Sequence, residues 1–191
     1  TTFSYLGGES CYSALDWHSA PNPMPDYYRY MPGYAANPEV AAAVREAWES
    51  RDPGVTQVNW DELYYVNRHG TAAPASYAVG GAVTANRCFQ FVSSFEYRMS
   101  GLNRLRGGVQ IRNDRTSRYQ RLEDLLGGDY LLNVDSYLID DEYYGDKIQN
   151  DLQHPNRRVG VGERYGYDYD LDYSSYGAWV LADLHLSLIH I

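Results

Sequence analysis

The sequence predicts an all-β fold, an antiparallel sheet interrupted by long excursions that carry one or two short helices. Three observations predict it. RCFQFVSSFEYRMS (87–100) and RLRGGVQIRNDR (104–115) alternate apolar and polar residues. That period of two belongs to strands with one wet face. RYGYDYDLDY (164–173) resumes the alternation fifty residues later. Finally, no run of 18 apolar residues occurs, so no segment reads as a transmembrane helix, which leaves short alternating membrane strands open.

The elements follow in chain order. Residues 16–38 hold Pro21, Pro23, Pro25, Pro32 and Pro38. Proline removes ladder donors and fixes φ, so this is an ordered irregular loop and not sheet interior. Trp17, Tyr27, Tyr28, Tyr30 and Tyr34 give that loop enough aromatic surface to pack on itself. A helix follows, with Asn37 as N-cap, Pro38 at its first position and Glu39 in its first turn. Val40, Ala43, Val44, Ala47 and Trp48 form its apolar stripe, and RDPG (51–54) ends it. A second short helix is expected in NWDELYYVN (59–67), where Asn59 and Glu62 have the spacing of a capping box.

The hairpin comes next. Phe89, Phe91, Phe95, Tyr97 and Met99 share one face of its first strand; Gln90, Val92, Glu96 and Arg98 share the other. The second strand sets Leu105, Val109 and Ile111 against Arg104, Arg106, Arg112 and Asp114. GLN (101–103) is the short turn between them. DLLGGDYLLNVD (124–135) then reads as a sharp reversal at Gly127-Gly128, with its four leucines pinning the loop to neighbours. An acidic, aromatic loop without a clear period runs over 136–164. Loops that long are usually functional or disordered. In the last strand Tyr165, Tyr167, Tyr169 and Leu171 oppose Asp168, Asp170 and Asp172, and Gly177 is expected to mark a bulge or bend.

One end of this sheet has a turn of a few residues and the other has excursions of thirty or more. Outer-membrane barrels show that asymmetry, with short periplasmic turns and long extracellular loops. A strand around Phe89–Met99 is long enough, since roughly 9–11 tilted residues cross a bilayer. Tyr97 at one end and Tyr165, Tyr167 and Tyr169 at the other would form the aromatic girdles.

The bulk numbers narrow the function. The chain has 191 residues, enough for one core or for part of a larger domain, and a formal net charge of −9. That balance argues against nucleic-acid binding, which needs an excess of basic charge. Tyr occurs 20 times and Phe 4 times, a bias that suits sites with one wet and one apolar side. Cys11 and Cys88 sit in no metal or redox spacing; they pair or stay free. No signal peptide opens the chain at TTFSYLGG.

Catalytic and metal chemistry find little support. No phosphate-binding glycine loop and no GxSxG serine occurs. His18, His69, His154, His185 and His190 lack metal spacing. Asp168, Asp170 and Asp172 are hard ligands, but a straight strand cannot wrap Ca²⁺, and a wet stripe is the better reading. Asp140, Asp141, Glu142 and Asp146 are a looser Ca²⁺ candidate. No catalytic residue, metal or cofactor is expected. The Arg-rich strand face reads as a water-filled lumen with cross-strand ion pairs. Substrate contact is assigned to exposed tyrosines of the loops: Tyr27, Tyr28, Tyr30, Tyr143 and Tyr144.

Four segments in one order carry a family likeness: APNPMPDYYRYMPGY (20–34), QVNWDELYYVN (57–67), YQRLEDLLGGDYLLNVD (119–135) and QNDLQHPNRRVGVGERYGYDYDL (149–171). Together they resemble the barrel of Bacteroidota-type TonB-dependent outer-membrane receptors, those with a carboxypeptidase-regulatory-like domain. The resemblance implies an incomplete piece of a 22-stranded transmembrane β-barrel in the cell outer membrane. It implies active uptake of an unidentified nutrient substrate and no enzyme activity. The implied partners are outer-membrane lipid, a surface lipoprotein, and the inner-membrane TonB complex through parts of the chain not in this stretch. Residues 1–75 would be mainly extracellular loop with short helices, 76–123 the hairpin strands, 124–164 a second extracellular loop and 165–191 a truncated strand. The final LSLIHI (186–191) resembles adapter read-through. The alternative is a secreted or periplasmic β-sandwich that binds or hydrolyses polysaccharide. In that case Phe91 and Ile111 would pack under an opposing sheet.

Overall fold

A computed structural model of the chain describes residues 1–69, 74–99, 103–135, 138 and 148–184. The all-β, antiparallel reading holds. Six strands form: β1 (Thr2–Trp17), β2 (Tyr77–Arg98), β3 (Arg104–Asp124), β4 (Leu131–Leu132), β5 (Arg158–Val159) and β6 (Arg164–Asp183). The long strands make one open sheet in the order β1-β2-β3-β6, while β4 and β5 pair with Leu131 opposite Val159. Three α-helices lie between β1 and β2: α1 (Pro38–Glu49), α2 (Pro53–Thr56) and α3 (Trp60–His69).

Two sequence expectations are corrected here. Thr2–Trp17 is a strand, although the sequence placed it in a loop region. Its glycines, tyrosines and serines fall on both faces, so no period shows. Among the described residues the α-helices number three, not one or two. RDPG does end α1, with Arg51 at a positive φ of 58°. Asp52 then caps a new turn, its carboxylate accepting the Gly54 N–H at 2.9 Å, with Pro53 at the first position. The other caps are as read: Asn37 Oδ1 accepts the Glu39 N–H at 2.8 Å, and Asn59 Oδ1 accepts the Glu62 N–H at 3.2 Å.

The chain divides into two compact units. The first holds residues 1–11, 83–119 and 168–191. Its register follows from side-chain bonds. Arg106 bonds Glu96 at 3.0 Å and Thr116 bonds Asn86 at 2.8 Å, which fixes even-numbered residues of β2 and β3 on one charged face. The odd-numbered face carries Phe89, Phe91, Phe95, Val109 and Ile111, as expected, and none of these is buried. Phe3 stacks edge-on against Phe89 at 4.6 Å, so β1 adds to that apolar face. Ser117 and Arg115 bond Asp170, which places the even residues of β6 there too. The expected bulge at Gly177 is absent as a face reversal. Trp179 packs against Gly108 on the charged face, so Asp170 and Val180 stay on the same side. The φ-positive glycine of β6 is Gly166. The turn at 100–102 lies outside the described residues.

The second unit holds residues 12–82 and 120–167 and contains two small cores. On one side of its strands, Leu63 of α3 packs with Tyr77 and Leu126, flanked by Leu15 and Trp17. On the other side, Ala78, Leu122 and Leu125 meet Leu131, Val159 and Tyr165. DLLGGDYLLNVD supplies both cores from adjacent residues, Leu125 to one and Leu126 to the other. The reversal needs Gly127 at φ +84°, and a Cβ on Gly128 would sit 2.6 Å from that of Ala75. Asn67 of α3 ties the helix to the strands. Its Nδ2 donates to the carbonyls of Tyr77 and Leu125 at 2.7 and 2.8 Å, and its Oδ1 accepts from the N–H of Ser76 at 2.9 Å.

Candidate functional site

The second unit also carries an open cavity of about 470 Å³. That lies within the roughly 300–1,000 Å³ of small-molecule sites. Its floor is a row of polar side chains. Gln120 Nε2 donates to the Tyr165 hydroxyl at 3.0 Å, and that hydroxyl donates to Asp16 Oδ2 at 3.1 Å. His18 Nε2 faces the same carboxylate oxygen at 3.7 Å. The row is possible because Gly80 and Gly166 lack side chains. A Cβ on Gly80 would collide with the Tyr165 hydroxyl, and one on Gly166 with Gln120 Oε1. Asn133 fixes the Gly166 backbone, its Oδ1 accepting the Gly166 N–H at 2.8 Å. Tyr12, Tyr167, Asp135 and Asn150 complete the wall.

The electrostatics of the floor are set by Asp16. Burial acts to raise its pKa, but the hydrogen bond and charge of His18, with the Tyr165 hydroxyl and the Trp17 N–H, outweigh burial and hold it below the usual carboxylate value. Asp16 is therefore anionic at neutral pH. Tyr165 is pushed above the ordinary phenol value by burial and by the Asp16 charge, so it stays protonated and donates. Two carboxylates, Asp16 and Asp135, line the cavity, and no Arg or Lys does among the described residues.

No protein-family model, curated protein or solved structure matches the chain.

The tyrosines chosen from the sequence lie elsewhere. Tyr27, Tyr28 and Tyr30 do come together, in a 3₁₀ turn over Tyr28–Tyr30. Tyr27 meets Tyr28 and Tyr30 edge-on at 4.7 and 5.3 Å, and Tyr28 meets Tyr34 at 5.4 Å. Arg29 Nε donates to the Tyr28 hydroxyl at 2.9 Å, and the Tyr30 hydroxyl donates to the Asn22 carbonyl at 2.9 Å. These contacts brace the proline-rich loop, as its aromatic content suggested. None of the three lines the cavity. Tyr143 and Tyr144, like the acidic group at 140–146, lie outside the described residues. Tyr165 and Tyr167, expected in a lipid-facing girdle, line the cavity instead. Their place beside Gly80 and Gln120 puts them on the even-numbered face of β2 and β3.

Sequence reasoning missed Asp16, His18, Gly80 and Gln120. Gly80-Gly81 within a strand was the available signal, since a strand glycine often marks close approach by another group. Among the described residues no three His, Cys, Asp or Glu side chains are grouped to hold a metal. The DYDLDY carboxylates pair with a cation instead, Arg115 reaching Asp170 at 2.6 Å and Asp172 at 3.8 Å. Neither Cys11 nor Cys88 is in a disulfide.

Proposed function

We propose that this chain is part of the barrel of a TonB-dependent outer-membrane receptor of the Bacteroidota type, which takes up a nutrient and performs no catalysis. One observation carries the reading: a half-exposed to exposed apolar band on one face of the first unit. It contains Phe89, Phe91, Phe95 and Tyr97 on β2, with Val109 and Ile111 on β3. Val180 on β6, at 73% exposed, Leu184 just past its end, at 61%, and Phe3 on β1, at 68%, extend it. Apolar side chains in such a continuous exposed patch mark a surface that is covered in use.

The band has a bilayer's dimensions. Phe89 to Tyr97 is nine residues; at about 3.3 Å each and a tilt near 40°, this gives roughly 23 Å of height, against about 25 Å for outer-membrane barrels. It ends at one level. Beyond Phe89 comes Arg87, beyond Ile111 come Asn113 and Arg115, and beyond Tyr176 come Ser174 and Asp172. The Arg115–Asp172 pair joins two of those strands at that level. The opposite face carries Arg104, Arg106, Arg112, Glu96 and Asp114, with the cross-strand Arg106–Glu96 pair expected of a wet lumen. The sandwich alternative needs a second sheet over Phe91 and Ile111. The other sheet among the described residues is β4-β5, which belongs to the second unit.

The test is fractionation of the full-length protein from its native cells. The reading predicts recovery with outer membranes and release only by detergent. Recovery in a soluble fraction without detergent would reject it.

A further inference from the structure

The geometry points to the Asp16–Tyr165 cavity as a binding site for an organic ammonium ion, a primary amine carried on a hydrogen-bonding body the size of a dipeptide or an amino sugar. This deepens the receptor reading and rests on it only for the step from binding to uptake.

The lining selects by charge. Fifteen Arg and one Lys occur in the chain, yet none lines the cavity among the described residues. Phosphate, sulfate or carboxylate ligands would meet two carboxylates there, with His18, the one basic side chain among the described lining residues, already facing Asp16. A protonated amine meets the opposite. Asp16 Oδ2 is anionic, is held by the Tyr165 hydroxyl at 3.1 Å and faced by His18 Nε2 at 3.7 Å, and its side chain is 24% exposed, so it still reaches the cavity. Charge-assisted hydrogen bonds of this kind are about twice as strong as neutral ones.

The walls select by shape. Tyr12 and Tyr167 are exposed at 77% and 43% and line the same space as the carboxylates. Aromatic faces beside a carboxylate favour organic cations. The remaining polar lining, the amides of Gln120 and Asn150, can serve hydroxyl or peptide groups on the body of the ligand. Gly80 keeps the floor flat. It leaves the space that a Cβ would take to the Tyr165 hydroxyl.

The experiment is calorimetric titration of the detergent-solubilised full-length protein with glucosamine and with alanyl-alanine amide. Each is run against its N-acetylated form, which lacks the charge. The site predicts binding of at least one free amine and at least about tenfold weaker binding of its acetylated form, the worth of one charge-assisted bond. Whichever amine binds identifies the source as sugar or peptide. Asp16→Asn is expected to lose at least about tenfold in affinity. Because Asp16 also anchors Tyr165, a second variant is needed. Ala82→Lys, at an exposed wall position, sets a competing ammonium in the cavity and should abolish binding with the circular dichroism spectrum unchanged; Ala82→Met should bind far better than Ala82→Lys. Equal binding of free and acetylated probes, equal affinity of Ala82→Lys and the unaltered protein, or no binding of either amine at millimolar concentration overturns the site. Binding is read independently of fractionation, so failure here leaves the membrane reading intact, and the reverse.

Discussion

Gly80 is the residue on which the cavity floor turns. An added methyl collides with the Tyr165 hydroxyl, so Tyr165 must leave Asp16 or the strand must shift. Gly80→Ala is therefore expected to destabilise the protein by about 1–3 kcal/mol, the usual penalty of overpacking. A urea midpoint lowered to that extent, with the slope unchanged, checks it. Asp16 supplies a pH dependence. Its folded pKa is depressed, so its contribution to stability is present in full above the unfolded value of about 3.9 and is lost as pH falls through the folded value. The difference in urea midpoint between the unaltered protein and Asp16→Asn should shrink as pH falls below about 4. A difference that grows below about pH 4 would contradict the assignment. Little of this was legible in the sequence. Asp16, Gly80, Gln120 and Tyr165 are separated by 40 or more positions at each step, and no local period announces a floor assembled from four strands.

At the scale of elements the sequence said more. Both asparagine caps and the two faces of the hairpin were readable because each depends on residues within a few positions. Strand lengths were not. β2 runs 22 residues, and its first half, YAVGGAVTA, consists mostly of small residues that are buried or half-buried on both faces. Such a run has no alternation to read. β1 failed for the opposite reason, being exposed on both faces over most of its length. The face assignment of β6 yields a test. Val180 lies in the apolar band, whereas Asp172 lies beyond its edge beside Arg115. In lipid vesicles Val180→Arg should cost about 2–4 kcal/mol, the penalty for a basic side chain near a bilayer midplane. Asp172→Asn should cost less than about 1 kcal/mol, since the pair it breaks is largely exposed. Equal effects of the two substitutions would place Val180 in water.

At the scale of the whole molecule, the first unit carries two contrasting faces: an apolar band that is half-exposed to exposed among the described residues and an ion-paired face of arginines and acids. A net charge of −9 argues against phosphate-backbone binding and does not bear on the proposal that one face meets lipid. The resemblance that names a receptor family and the geometry of the band are independent arguments, one from ordered sequence segments and one from exposure and register. The direct measurement is label accessibility in outer-membrane vesicles. With Cys11 and Cys88 replaced by serine, single cysteines at Phe95, Val180 and Gln110 carry an environment-sensitive fluorophore. The account predicts that labels at Phe95 and Val180 are quenched by a lipid-borne quencher and shielded from iodide, while the label at Gln110, on the charged face, shows the reverse. Iodide quenching of all three to the same degree would contradict it.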